Sequence, residues 1–356
     1  MMEPIRKLMV RAKMISFKEA LDEIVLAEKC MGCAACIAFC PLSCLEYVEG
    51  KPKLVKECEA CSICAFVCPR YELVWPTLEE SVLGRPRKPE EEFGVYRRIV
   101  IAQANDEKVL HACQDGGVVT ALLTYALENG IIDGAAVSGV SQDKPFYPIP
   151  RLATTPEEVL ECAGTRYTYS PNILAFQEGL NQGRKSLAFV GLPCQIQALR
   201  KIEGTLLEHV DPLRFAIGLM CTESFTYEGL MEKHIQGDLG INLSDIQKIN
   251  IKAKVLVTTK SGEVKVIPLK EAKQYTRKSC TICTDFSAEL ADISVGGLGL
   301  SDWTFTILRT KKGEELFDGA VRKGFLKTRP IEEEKRAFDL LLRLSKRKRE
   351  TAGSSL

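Results

Sequence analysis

Cys30-Met31-Gly32-Cys33-Ala34-Ala35-Cys36-Ile37-Ala38-Phe39-Cys40-Pro41 is matched, 28 residues on, by Cys58-Glu59-Ala60-Cys61-Ser62-Ile63-Cys64-Ala65-Phe66-Val67-Cys68-Pro69. Both runs space their thiols Cys-x2-Cys-x2-Cys-x3-Cys-Pro, so the pair is an internal duplication. Chains with this paired spacing hold two [4Fe–4S] clusters, and the fourth cysteine of each run ligates the other cluster. The spacing therefore assigns Cys30, Cys33, Cys36 and Cys68 to one cluster, and Cys58, Cys61, Cys64 and Cys40 to a second. Pro41 and Pro69 stop the chain from continuing as helix and turn the fourth thiol across. A pair of zinc knuckles is the competing reading, but zinc sites take four local ligands without crossing. The remainder of the chain must then give electrons to these clusters or take them.

The duplicated run resembles the two-cluster ferredoxins of bacteria, which implies a small α+β domain. Around it, 356 residues suggest two or three domains. Apolar residues make up 46%, charged residues 27%, and the net charge is +1, an ordinary soluble composition. No charge excess argues for nucleic acid or a membrane surface as partner. There is no apolar run of transmembrane length, and charges scattered through residues 1–29 predict no signal peptide. Fifteen cysteines without an export signal read as metal ligands rather than disulfides. The expected compartment is a reducing cytoplasm.

Residues 16–29 read as a helix opened by a capping box of Ser16 and Glu19. Glu49-Gly50-Lys51-Pro52 reads as the turn of a hairpin between the two cysteine runs, and Cys44 as a buried apolar thiol. Residues 1–75 form the predicted ferredoxin domain. Residues 76–96, with Pro76, Pro86, Pro89 and Glu90-Glu91-Glu92, read as a linker. Strand and helix then alternate over 97–330: strands near Ile99, Ala135, Ser186 and Phe215, helices over 118–128, 156–160, 172–180 and after Cys194. This pattern predicts an α/β domain with a mainly parallel sheet covered by helices. Residues 246–268 alternate in period two as an antiparallel hairpin. Residues 331–356 form a helix through Arg349, with a solvated basic end and a disordered tail.

Two loops precede helices. Gln114-Asp115-Gly116-Gly117-Val-Val-Thr120 brings glycines and first-turn N–H groups toward an anion; a plain glycine-rich loop is the alternative. Ala163-Gly164-Thr165-Arg166-Tyr167-Thr168-Tyr169 adds hydroxyls, a guanidinium and aromatics, the groups a dinucleotide cofactor requires. No Gly-x-Gly-x-x-Gly follows a strand, so an ordinary nicotinamide fold is excluded. Cys194 and Cys221 each close a predicted parallel strand, and Cys280-x2-Cys283 could join them at the same edge. Four such thiols suit a third [4Fe–4S] cluster or a structural zinc. His111, His209 and His234 are read as structural, and Cys113 and Cys162 as small apolar residues.

Gln-Asp-Gly-Gly-Val-Val-Thr at 114–120, Ala-Gly-Thr-Arg-Tyr at 163–167 and Gly-Leu-Pro-Cys-Gln at 191–195 resemble the coenzyme F420 hydrogenase/dehydrogenase beta-subunit family. Cys221-Thr-Glu, Cys280-x2-Cys283 and Ala291-Asp-Ile-Ser-x-Gly-Gly-x-Gly299 extend the resemblance over roughly residues 97–325. It implies FAD and a [4Fe–4S] cluster beside the two ferredoxin clusters, with coenzyme F420 as substrate. Gln114, Asp115, Gly116, Gly117, Thr120, Gly164, Thr165, Arg166, Tyr167, Gly297 and Gly299 are the implied FAD contacts. Cys194, Cys221, Cys280 and Cys283 are the implied ligands of the third cluster. Arg166 stands where many relatives carry Lys, which keeps an anion contact but changes its geometry.

The added ferredoxin domain resembles the F420H2 dehydrogenase input subunit of archaeal respiratory chains more than a hydrogenase subunit. The expected activity is oxidation of reduced coenzyme F420. The expected acceptor is a membrane respiratory complex or a ferredoxin, reached without a membrane span and at most peripherally on the inner face. A flavin is required there because it takes a hydride and releases electrons singly. The alternatives are a coenzyme F420-reducing subunit of a hydrogenase or formate dehydrogenase, a ferredoxin-dependent tetrapyrrole reductase, and a flavin-free electron-wiring subunit with zinc.

Overall fold

The computed structural model describes residues 14–206 and 210–353. The first element is helix α1 (Phe17–Leu26), and Ser16 and Glu19 close the expected capping box on it. After it come α2 (Ala35–Ala38), an antiparallel hairpin of β1 (Leu45–Val48) and β2 (Lys51–Leu54), and α3 (Ile63–Val67). Each short helix sits inside one cysteine run. Ala34 and Ser62, at the N-terminal edge of the two helices, both adopt positive φ, so the duplication extends to the backbone.

The stretch read as a linker is not free of structure. Helix α4 (Trp75–Leu83) begins with Pro76 in its first turn and ends on Gly84 in the left-handed region. Proline at a helix start needs no N–H partner, and glycine accepts positive φ without a Cβ clash. Sequence reading counted Pro76 as a breaker, whereas at this position it favours the helix.

The larger body begins with β3 (Arg98–Ala104), α5 (Glu107–Ala112) and α6 (Val118–Glu128). It continues through β4 (Gly134–Val140), β5 (Pro148–Ala153), α7 (Pro156–Glu161), α8 (Ile173–Asn181), β6 (Leu187–Gly191), α9 (Pro193–Thr205) and β7 (Leu213–Leu219). A π-helix (Tyr227–Asp238) leads to β8 (Ile246–Ile251), β9 (Lys254–Thr259) and β10 (Val264–Pro268). Then follow β11 (Ile293–Gly296), β12 (Thr304–Leu308), α10 (Lys311–Arg322), β13 (Leu326–Arg329) and α11 (Lys335–Gly353).

Eight strands form one sheet in the order β13-β3-β12-β11-β7-β6-β4-β5. The pairs β4–β6, β6–β7 and β7–β11 are parallel, whereas β4–β5, β11–β12, β12–β3 and β3–β13 are antiparallel. The sheet is therefore mixed, which corrects the mainly parallel expectation: only its four central strands obey it. Short connections after β4 and β11 return the chain antiparallel at once, as a parallel crossover could not. Residues 246–268 form a three-stranded meander rather than a single hairpin.

Helices cover both faces of the sheet. One core joins Val118, Leu122 and Phe317 to Phe215 and Ile217, and the other gathers Phe176, Phe189, Ile196 and Leu199. Met31, Cys33, Ala35 and Val67 belong to this second core, so the cysteine-rich region is packed onto the sheet's helical layer. Fully burying one such large apolar side chain contributes roughly 1.5–3 kcal/mol. Polar ties reinforce the seam: Arg70 donates to the Ile282 and Ser279 carbonyls, and Lys201 Nζ donates to that of Cys68 at 2.9 Å.

The C-terminal helix does not end in solvent. Lys348 is 9% exposed, and Arg349 pairs with buried Glu289 at 2.6 Å. The helix runs through Ala352 to Gly353, past the predicted start of the disordered tail. Among the described residues no helix is long and apolar enough to cross a membrane.

Candidate functional site

The first eight cysteines lie close enough to act on one another's charge. Burial pushes the Cys33 and Cys36 thiols up, and Cys68 and Cys30 push both the same way. Burial likewise raises Cys64 to about 12, with Cys61, Cys58 and Cys40 adding to it. A pocket lined by Cys40, Cys58, Cys61 and Cys64 lies beneath Ile15 and Phe17. Cys44 lines the same pocket with its sulfur 3.3 Å from that of Cys40, a placement that general burial of cysteine did not reveal.

The other four thiols meet at the carboxyl edge of the sheet. β6 and β7 are parallel with Gly191 opposite Gly218, so Cys194 and Cys221 each stand three residues beyond a paired glycine. Cys280 and Cys283 arrive from the loop before β11. Burial raises Cys194 to about 12, and Cys283 and Cys280 act on it in the same direction. The Ser224 N–H donates to the Cys280 sulfur at 3.5 Å, and the Cys221 N–H to the Phe286 carbonyl. Among the described residues no three His, Cys, Asp or Glu side chains close around a point as they would on one metal ion.

The loops expected to hold FAD also converge. The Gln114 amide Nε2 donates to the Tyr167 hydroxyl at 3.4 Å and to the Ile249 carbonyl at 3.2 Å, and it also contacts Asn250 Oδ1. Gln114 Oε1 is buried without a partner. A Cβ placed on Gly297 would lie 2.5 Å from Asp115 Oδ2, so the 297–299 loop abuts the 114–117 loop. Gly299 has φ +79° and open space around it.

The two neighbouring glycines also pack closely on the scaffold. A Cβ on Gly116 would meet the Ala102 carbonyl oxygen at 2.6 Å and the Thr304 nitrogen at 2.8 Å. Its N–H already donates to Thr304 Oγ1 at 3.0 Å. Gly117, at φ +72°, would place a Cβ 2.7 Å from Val109 Cγ1. What these glycines allow is close approach to the protein's own sheet. Thr120 is buried in the first turn of α6. That 11-residue helix has no side-chain cap at its N-terminus.

Arg166 donates to the carbonyls of Cys162 (2.7 Å), Gly164 (3.2 Å) and Ser138 (3.3 Å), and among the described residues it has no carboxylate partner. Burial pulls its pKa below the ordinary guanidinium range, and only the Cys162 thiol opposes this. Gly164, at φ +89°, lies beside it, and a Cβ there would meet only the Ala112 carbonyl oxygen, at 3.4 Å.

Sequence reading missed Lys248 and Lys252, which sit at β8 and the turn after it. Burial raises Asp115, and these two lysines oppose the shift. They came from a region read only as a hairpin and belong to no motif. His111 is exposed at the end of α5, His234 bonds Asp238 at 3.0 Å, and His209 lies outside the described residues. Cys113 donates to the Asp115 carbonyl at 2.8 Å.

Asp292 of the Ala291–Gly299 motif is a staple rather than a ligand. It is fully buried, pairs with Arg200 at 3.0 Å, and accepts from the Ala216 N–H at 2.8 Å and Thr310 Oγ1 at 2.7 Å.

Comparison with known proteins accords with this arrangement. The family described as the coenzyme F420 hydrogenase/dehydrogenase beta subunit matches the chain in two parts, its N-terminal region at residues 99–177 and its C-terminal region at residues 184–334. A coenzyme F420 hydrogenase beta chain of Methanococcus voltae is 40% identical over 72% of this chain and 93% of its own. One of the F420H2 dehydrogenase subunits of Methanosarcina mazei is 31% identical over 84% of each chain. A coenzyme F420-dependent sulfite reductase from Methanocaldococcus jannaschii is 36% identical over 83% of this chain and 46% of its own. A chain of the F420-reducing [NiFe] hydrogenase complex from Methanosarcina barkeri superposes with TM-score 0.71 at 37% identity, covering 76% of this chain and 94% of that one. With two adjoining family matches spanning most of the sequence, the chain belongs to the coenzyme F420 hydrogenase/dehydrogenase beta-subunit family.

Proposed function

We propose that this oxidoreductase takes hydride from reduced coenzyme F420 onto FAD and passes single electrons through three [4Fe–4S] clusters to a partner. In this reading residues 1–75 carry two clusters as a ferredoxin domain, 76–96 join it to the 97–330 domain, and 331–356 are the C-terminal helix and tail, whose Lys348 reaches the Thr222 carbonyl beside Cys221. The observation that carries it is the adjacency of two cysteine sets from opposite ends of the chain. The charge of Cys194 acts on Cys33, and both residues belong to one apolar core. Electron-carrying groups held there would be near neighbours inside a dry region.

The residues fit an anionic dinucleotide. Among the described residues Arg166 is a cation without an anion and Gln114 Oε1 a buried acceptor without a donor, and α6 presents an uncapped N-terminus. Lys248 and Lys252 would compensate phosphate charge from the meander. FAD supplies the step from a paired hydride to single electrons, and the clusters carry those electrons one at a time. The chain's own part is to fix the rings, exclude water and keep the carriers close. No side-chain acid or base is required.

Direction is the partner's to decide. Running the same path backwards, to reduce coenzyme F420, is favoured by the 40% identity with a hydrogenase beta chain. Extended alignment with the F420H2 dehydrogenase relative and the sulfite reductase, over 313 residues in each case, favours oxidation. The test is anaerobic stopped-flow spectroscopy of the purified chain. Reduced coenzyme F420 should bleach a flavin band before iron–sulfur absorbance falls. A chain that binds flavin yet is untouched by the reduced coenzyme would end this reading.

A further inference from the structure

Two cations stand between the two adjacent cysteine sets: Arg70, which donates to the Ile282 and Ser279 carbonyls, and Arg277. Arg277 lies flat over the Tyr169 ring, its guanidinium carbon 4.1 Å from the ring centroid. The Tyr169 hydroxyl is 3.7 Å from the Cys194 sulfur. On the other side, a Cβ on Gly32 would sit 2.9 Å from Arg277 Nη2 and 2.3 Å from the Gly50 carbonyl oxygen. Gly32 is the residue just before Cys33, in the loop that opens at Cys30. The Tyr47 hydroxyl donates to its carbonyl at 3.1 Å, closing the same wall.

Among the described residues Arg277 has no carboxylate partner. The groups that stabilise its charge are Tyr169, Cys280, Tyr47 and Cys194, although burial opposes them. Burial raises the Cys30 thiol, and Arg277 pulls it back down. A guanidinium placed without a carboxylate, between two sets of four thiols, has its counter-charge in whatever those thiols hold.

We infer that Arg277, stacked on Tyr169 and wedged against Gly32, is a positioning residue that sets the reduction potentials of both neighbouring clusters and forms the contact between them. The inference rests on the proposed cluster ligation. In the step concerned, one electron would pass from a cluster held by Cys194, Cys221, Cys280 and Cys283 to one held by Cys30, Cys33, Cys36 and Cys68, with no bond or proton changing hands. A nearby positive charge favours the reduced, more negative form of each cluster, so its removal lowers both potentials. Lys348 offers the contrast. It contacts the Thr222 carbonyl, and Cys283, Cys221 and Cys280 stabilise its charge, so it serves the third site alone.

The experiment is a redox titration of the intact, anaerobically purified chain followed by electron paramagnetic resonance, with iron, zinc and flavin measured on each sample. In R277Q two of the three cluster potentials should fall, each by about tenfold in the reduction equilibrium, or about 59 mV for one electron. In K348M only one should fall. R277K keeps the charge but not the plane, and it should leave both potentials within about twofold of wild type while slowing transfer between the clusters. Y169F keeps the stacking surface and should move a single potential, that of the cluster on Cys194. If R277Q does not fold, the R277K and Y169F pair still decides the matter. Two potentials displaced as far by R277K as expected for R277Q, or none moved by Y169F, would overturn the bridge. Wild-type chain with zinc and about eight irons would overturn the ligation itself, and the bridge with it. Twelve irons with unmoved potentials in R277Q would overturn the bridge alone.

Discussion

Replacing Arg166 by Gln separates flavin binding from folding. The guanidinium Nη1 makes three bonds to backbone carbonyls, at 2.7, 3.2 and 3.3 Å, and among the described residues meets no carboxylate. Its burial disfavours the charged form, so the unliganded protein gains little net stability from it: three bonds to carbonyls, less the cost of desolvating the ion. Glutamine can keep one of those bonds, and the expected loss of stability is about 1 kcal/mol. A phosphate beside Arg166 changes the balance, because a charge-assisted bond is worth about 1.5–3 kcal/mol. At 1.4 kcal/mol per factor of ten, FAD affinity should fall roughly 10- to 150-fold. The assay is fluorescence titration of FAD into stripped protein, alongside a denaturant melt of the same apo sample. Unchanged FAD affinity would remove Arg166 from the cofactor site. A loss of several kcal/mol in the apo melt would show that the residue serves the loop and not the ligand.

Cys40→Ser should damage the cluster of Cys58, Cys61 and Cys64, spare that of Cys30, Cys33 and Cys36, and leave flavin bleaching intact while delivery to the native partner falls; anaerobic spectra and turnover check this. Gly116→Ala drives a methyl group to 2.6 Å from the Ala102 carbonyl oxygen and should cost about 1–3 kcal/mol in a denaturant melt, with flavin loss following the unfolding. Glu289 is raised from 4.5 to about 7 by burial and by Asp285, against the pull of Arg349, Arg87 and Arg309. A carboxyl raised in the folded state binds its proton more tightly there, so stability falls as pH rises between about 4.5 and 7. E289Q should flatten that slope in melts taken at pH 5, 6 and 7.5, and an unchanged slope would refute the assignment. Asp292→Asn leaves buried Arg200 with Glu203 as its remaining charge partner and should cost about 3 kcal/mol, read from thermal and denaturant melts.

Much of this arrangement could be read from the chain because cysteine spacing and loop–helix junctions are local signals. The 28-residue duplication implied which thiols would be neighbours, and Val118–Glu128 was found from its period and its glycine border. The antiparallel strands β5, β12 and β13 were missed for a physical reason. Pro148-Ile-Pro-Arg-Leu-Ala carries two prolines that an edge strand tolerates, and Leu326–Arg329 is a short, largely exposed edge. Lys248, Arg277 and Lys348 were invisible for another reason. Each acts on a group far away in the sequence: Lys248 and Arg277 belong to no motif, and Lys348 sits in the basic run 346–349, which reads as a solvated helix end until the fold gives it a neighbour. The glycines at 116 and 117 show in the sequence that a backbone must come close to something; the fold adds that Gly116 lies against β3 and β12 and Gly117 against Val109 of α5.

The Ala291–Gly299 motif joins these strands of reasoning. Asp292 reaches the first turn of α10 through Thr310, β7 through the Ala216 N–H, and α9 through Arg200. Those elements are the carriers of the site: β7 runs into Cys221, α9 begins with Pro193 and Cys194, and β11, which Asp292 itself precedes, runs into Gly297. A single buried carboxylate thus fixes the mutual positions of two thiols and of the loop that meets Asp115. Burying it is tolerable because Arg200 and Lys312 hold the charge and the Ala216 N–H and Thr310 hydroxyl fill its lone pairs. The pKa of Asp292 is accordingly held below the ordinary carboxylate range, although burial alone would raise it. Electron transfer and hydride transfer both fail on small misplacements. A rigid polar staple under the carboxyl edge is a physical reason for an acidic residue at this place, and it needs no contact with any cofactor.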